Sequence, residues 1–130
     1  MAARILIADD HDHLRAALSE LLQKTGDNWS VCAVADGKAA IEKAGEVKPD
    51  VVVLDLLMPR RNGMSAGREI HAILPGVPVI LFTSVTSASL DADARRAGFY
   101  DVVHKANASD LITVIRKALA KRGLRSASAS

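Results

Sequence analysis

The sequence predicts an α/β fold: a single (βα)5 domain in which a doubly wound parallel sheet is covered on both faces by helices. Three observations point to it. The chain has 130 residues, 49% apolar and 25% charged, which suits one folded domain with one core and little else. Short β-branched runs alternate with longer stretches whose apolar residues recur every three to four positions. The runs are also apolar nearly throughout, as strands buried on both faces are. Right-handed crossovers between such strands put the connecting helices outside the sheet.

The elements follow in order. Arg4 to Ala8 reads as the first buried strand, and Leu14, Ala17, Leu18, Leu21 and Leu22 mark an amphipathic helix after it. Val31 to Val34 reads as a second buried strand. Asp36 is placed to cap a helix that carries Ala39, Ala40, Ile41 and Ala44. Val51 to Leu54 is the third strand, and the third helix runs from about Ser65 to Leu74, where Pro75-Gly76 stops it. Val77 to Phe82 is the fourth strand, followed by a helix from about Ser87 to Ala97 that Gly98 ends. Asp101 to Val103 is a short fifth strand. The last helix begins near Asn107, an N-cap with Asp110 three residues on, and carries Leu111, Ile112, Val114, Ile115, Ala118 and Leu119.

Composition excludes several function classes. No apolar run approaches the roughly 18 residues that cross a bilayer, and acidic residues follow the start MAARILIADD too soon for a secretory leader. Cytoplasm is the expected compartment. The one cysteine, Cys32, has no internal partner and reads as a buried, inert thiol among apolar neighbours. The net charge of +2 is small for a nucleic-acid binder. Arg116, Lys117, Lys121, Arg122 and Arg125 do cluster with no acid among them, but without a reading element they read as the solvated face of a terminal helix. Residues 1–122 form the expected domain. Residues 123–130, GLRSASAS, read as a disordered end, a linker stub or a vector-derived scar.

In such a sheet, chemistry sits beyond the carboxyl ends of the strands. There the sequence places Asp9-Asp10 after strand one, Asp55 after strand three, Thr83-Ser84 after strand four and Lys105 after strand five. Three carboxylates brought together repel one another unless a cation sits among them, and hard oxygen donors in that number suit Mg²⁺. A lysine and a hydroxyl beside a metal-bound carboxylate make a phosphate site, since both stabilise its equatorial oxygens.

With these residues in hand, the chain resembles the response-regulator receiver domains of two-component signalling, over nearly all of its length to about Lys121. The motifs are RILIADDH at the first strand, VVVLDLLMPRRNG around Asp55, VILFTS at the fourth strand and HKA at Lys105. The DDH opening is similar to the branch whose members usually carry a C-terminal helix-turn-helix. The resemblance implies a flavodoxin-like, CheY-like sheet in the order 2-1-3-4-5. It implies that Asp55 attacks a phosphohistidine and becomes an acyl phosphate. Asp10 and Asp55 would bind Mg²⁺, with Asp9 direct or through water and Leu57 through its backbone carbonyl. Lys105 would pair with Asp55 before transfer and with the phosphoryl group afterwards, and Thr83 would turn its hydroxyl to that group and shift the neighbouring helix. The implied partners are a sensor histidine kinase or a histidine phosphotransfer protein, and a second copy of the chain when phosphorylated. No membrane and no nucleic acid is an expected partner of this domain.

Three positions depart from the family pattern. Val102 stands where a Tyr or Phe usually does, although Tyr100 would share its face on a strand. Ala106 follows Lys105 in place of a common proline, so the bond between them is expected to be trans. Phe99 replaces a small residue. His11 and His13 in the run DDHDH suggest a transition-metal site, but their loop and helix-start positions make solvated side chains the expectation, and alternation is expected to turn His104 away from the site. Leu57 and Val85 flank the path of a hydrolytic water and cannot position it, which predicts slow self-dephosphorylation. A rival reading is a stand-alone shuttle that passes phosphate to a histidine phosphotransfer protein. A hydrolase with an aspartyl-phosphate intermediate would show a second Asp where this chain has Leu57, and a receiver that works without phosphorylation would not need the intact acidic set.

Overall fold

The computed structural model describes residues 2–123. Five parallel strands, β1 (Arg4–Ala8), β2 (Ser30–Val34), β3 (Val51–Leu54), β4 (Val79–Thr83) and β5 (Asp101–His104), form one sheet in the order β2-β1-β3-β4-β5. Five helices connect and follow them: α1 (Asp12–Gln23), α2 (Gly37–Val47), α3 (Gly63–Ile73), α4 (Ala88–Arg96) and α5 (Ala108–Lys121). This is the expected α/β architecture and strand order. Strand alternation divides the core into two layers. Leu6 and Ala8 of β1 pack with Ala40, Ala44, Ala66, Ile70, Leu90 and Ala94 of α2, α3 and α4. Ile5 and Ile7 pack with Leu18 and Leu22 of α1 and with Leu111, Ile115, Ala118 and Leu119 of α5. The described residues include no helix long and apolar enough to cross a membrane.

Several boundaries and burials differ from expectation. β4 starts at Val79, not Val77, because Pro78 has no N–H to give the ladder; its carbonyl still accepts from Val52 N at 3.0 Å. The strand then runs on to Thr83. Helix α3 starts at Gly63, where the Asn62 side chain accepts from Ser65 N at 2.9 Å. Asp36 caps α2 as expected, accepting from Ala39 N at 2.8 Å. Asn107 occupies the N-cap place of α5 but makes no side-chain cap bond: a 3-10 turn over Lys105–Asn107 feeds the helix directly and leaves Asn107 out of the extended geometry a cap requires. β2 is an edge strand and only half-buried, so Cys32 is not the enclosed thiol expected of it. On α1, Leu18 and Leu22 face the sheet, while Leu14 and Leu21 are exposed; the apolar stripe is wider than the face the sheet covers.

The segment before β5 resolves the two unusual aromatics. Phe99 is buried with its ring over Gly67, where a Cβ would lie 2.1 Å from the ring tip. A glycine in α3 thus makes the room that the bulkier residue takes. Tyr100 does not share a face with Val102. It precedes the first strand residue and packs in the α1/α5 layer, with Lys121 Nζ 5.9 Å from its ring centroid, whereas Val102 packs in the opposite layer. The peptide bonds among the described residues, that of Lys105–Ala106 included, are trans.

Candidate functional site

The carboxyl ends of β1, β3 and β5 bring the acidic residues and the lysine together. Asp55 follows β3 directly, and its N–H donates to Ala8 O at 3.0 Å, which fixes it beside the end of β1. Asp9 is anchored on the other side by its N–H to Val34 O at 3.1 Å. Both side chains are buried, Asp9 at 1% and Asp55 at 5% exposure. Buried carboxylates need partners, and Asp9 has two: His11 N donates to Oδ1 at 2.9 Å and Lys105 Nζ donates to Oδ2 at 2.9 Å. Arg15 holds the Asp9 carbonyl at 2.8 Å and steadies the loop. Lys105 Nζ also stands 3.3 Å from Asp55 Oδ2 and 5.9 Å from the Phe82 ring centroid. The ammonium is therefore shared between two carboxylates over an aromatic face, and lies nearer Asp9 than the Asp55 partner the resemblance implies.

One lysine does not neutralise this set. Burial pushes the Asp55 carboxyl above its ordinary value; the Lys105 charge opposes that, the Asp9 charge adds to it, and hydrogen bonds from Lys105 and the Leu57 N–H lower it again. Donor atoms of Asp9, Asp10, His11 and Asp55 all lie within 4.8 Å of one another. Asp10 is exposed at the rim. Three carboxylates against one ammonium, with Asp55 already resisting ionisation, fit a hard divalent cation.

The loop after β3 is built for close approach. A Cβ on Gly63 would lie 2.1 Å from the Asp55 carbonyl oxygen, and Gly63 N donates to Leu56 O at 2.8 Å, so α3 can start against the Asp55 backbone only with glycine there. Within this loop Arg60 holds a left-handed φ of 68°. Leu57, two residues from Asp55, is 63% exposed. At the end of β4, Thr83 is buried and its Oγ1 accepts from Val85 N at 3.1 Å. His104 pairs with Thr83 across the strands but lines a groove of about 270 Å³ with Asn107, Asp110 and Val114, outside the acidic group. His13 is exposed on α1. His11 is exposed as expected, yet its ring also reaches the acidic group, which the expectation of a solvated side chain left out. Arg15 was also missed, and its position one turn into α1 is the only clue the sequence held.

Comparisons with known proteins agree with this fold. The family model described as response regulator receiver domain matches residues 5–116. The chain is 38% identical over 107 residues to protein-glutamate methylesterase/protein-glutamine glutaminase 1 of Vibrio cholerae, covering 81% of this chain and 28% of that protein. It is 36% identical over 118 residues to the response regulator protein VraR of Staphylococcus epidermidis, covering 90% of this chain and 56% of that one. Among solved structures, a LuxR-family two-component response regulator from Aurantimonas superposes with a TM-score of 0.86 at 30% identity, covering 96% of this chain and 89% of that chain. The response regulator domain of Thermotoga maritima CheB gives 0.84 at 30% identity, covering 92% of this chain and 98% of that one. The chain thus spans about a quarter to a half of the curated relatives named, and it belongs to the receiver domains of two-component response regulators.

Proposed function

We propose that Asp55 is the phosphoacceptor of this receiver, taking a phosphoryl group from a phosphohistidine of a sensor kinase or phosphotransfer protein in the cytoplasm. The observation that carries this is the Asp55 carboxylate itself, which stands buried at the end of β3 with one ammonium shared between it and Asp9. An Asp55 oxygen attacks phosphorus, the bond from phosphorus to the histidine nitrogen breaks, and the product is an acyl phosphate. Asp10, Asp55 and the Leu57 carbonyl, with Asp9 direct or through water, would hold Mg²⁺, which supplies charge neutralisation for the phosphoryl oxygens. Lys105 already stands within reach of that place and holds a second positive charge there. The Thr83 hydroxyl would leave the Val85 N–H to meet the phosphoryl group, loosening the loop that leads into α4.

The domain catalyses its own phosphorylation and slow dephosphorylation, and no other turnover. Its output is a change of shape read by an attached or separate partner, including a second copy of the chain. The test is incubation with Mg²⁺ and a small-molecule phosphodonor, followed by intact mass measurement. Wild type gains one phosphoryl mass and Asp55→Asn, still folded, gains none; equal labelling of both would sink the assignment.

A further inference from the structure

His11 gives the acidic group its one nitrogen donor. Its Nδ1 lies 3.2 Å from Asp10 Oδ1 and 3.4 Å from Asp9 Oδ1. The hydrogen bond between His11 and Asp9 is made by the backbone, His11 N to Oδ1 at 2.9 Å. This tight turn holds the imidazole beside the carboxylates without using the ring.

The two separations from His11 to Asp9 and Asp10 suit ligands on a shared ion. Two donors about 2.1 Å from one cation stand about 3.0 Å apart across an octahedral edge and about 3.4 Å across a tetrahedral one. The two nitrogen-to-oxygen distances fall in that window. Ligand chemistry then decides which ion gains. Mg²⁺ prefers oxygen donors and keeps its waters, so a nearby imidazole adds little to it, while Zn²⁺ and its neighbours in the first transition row bind imidazole well.

We propose that His11 is a metal-selecting residue: it supplies a nitrogen ligand to a borderline divalent cation of the Zn²⁺ class, alongside the carboxylates of Asp9, Asp10 and Asp55, and lets that cation compete with Mg²⁺. This rests on the reading of the acidic group as the metal site. His13, also in the DDHDH run, lies outside the donor group and serves as the internal control.

The test is calorimetric titration of the whole chain with Zn²⁺ and, separately, Mg²⁺, paired with proton NMR of the histidine rings. The His11 side chain is 71% exposed, so His11→Ala leaves the core untouched. The expected result is one Zn²⁺ per wild-type chain, bound about tenfold or more weakly by His11→Ala, with Mg²⁺ affinity changed less than about twofold. The His11 ring resonances should move much further with the first equivalent of Zn²⁺ than with saturating Mg²⁺, which binds the neighbouring carboxylates without the ring. Unchanged Zn²⁺ affinity in His11→Ala, or an equal loss in His13→Ala, overturns the inference and leaves the Mg²⁺ reading standing. Mg²⁺ failing to bind wild type overturns the metal reading and this inference with it.

Discussion

Lys105 sits 2.9 Å from Asp9 and 3.3 Å from Asp55, so the residue proposed to react is the less well compensated of the two buried acids. Its raised pKa has a consequence for stability. The folded state holds the Asp55 proton more tightly than the unfolded chain does, so the contribution of this group is greatest in acid and is lost as pH rises through the folded pKa. In buffer free of divalent metal, Asp55→Asn should therefore be more stable than wild type at neutral pH, by on the order of 1 kcal/mol, with the gain shrinking toward about pH 4. Lys105 keeps Asp9 in that variant. Denaturant titrations across this pH range check it, and a neutral-pH midpoint at or below wild type would contradict it. Two apolar neighbours make the second residue-scale prediction. Leu57 is exposed and Val85 is half-buried against the core, and neither can orient an attacking water as a polar side chain would. The phosphoryl group should persist for minutes or longer with Mg²⁺ present, as followed by loss of the phosphorylated mass; decay within seconds would sink the idea.

Among the elements, most of what periodicity and caps could reveal was legible. The strand cores, the Asp36 cap and the order of helices all follow from local chemistry, because each is decided by residues close in sequence. What was not legible depended on contacts between distant segments. Phe99 stands where a small residue is usual, and it is Gly67 of α3, 32 positions away, that supplies the space beneath its ring. Gly67→Ala should then cost about 1–3 kcal/mol through overpacking. Much of that loss should disappear when the same change is made in Phe99→Leu, and additive costs in the double-mutant cycle would contradict the contact. The basic cluster of α5 likewise read as a solvated face. Arg116 instead reaches the buried Asp27 of the α1–β2 loop, with Nε at 3.0 Å and Nη2 at 2.8 Å from Oδ2, and Arg122 bonds the Asp50 carbonyl at 3.0 Å. Nothing local to α5 encodes these partners, which lie 89 and 72 positions away. Because Arg116 is half-exposed, Arg116→Ala should cost about 1–2 kcal/mol, discounted for solvent screening, while Lys117→Ala stays within about 0.5 kcal/mol of wild type. Equal effects in thermal unfolding would refute the distinction.

At the scale of the whole molecule, the site exists because a doubly wound sheet delivers the ends of β1, β3 and β5 to one edge. The acidic set was readable in advance for that reason: topology, not sequence proximity, gathers Asp9, Asp10, Asp55 and Lys105, and topology followed from the alternation of elements. Thr83 and the reach of His11 were harder, since their side-chain directions are set by the last residue of a strand and by a two-residue turn. The relatives place this same frame in a methylesterase/glutaminase and in LuxR-family regulators, so the receiver fold alone does not choose an output. The central claim is more local, that the frame delivers phosphate to Asp55. Peptide mapping by tandem mass spectrometry, after phosphorylation with Mg²⁺ and a small-molecule donor, tests it most directly. The account predicts one phosphoryl group per chain, on Asp55; an adduct on Asp9, Asp10 or a histidine, or none on the folded protein, would contradict it.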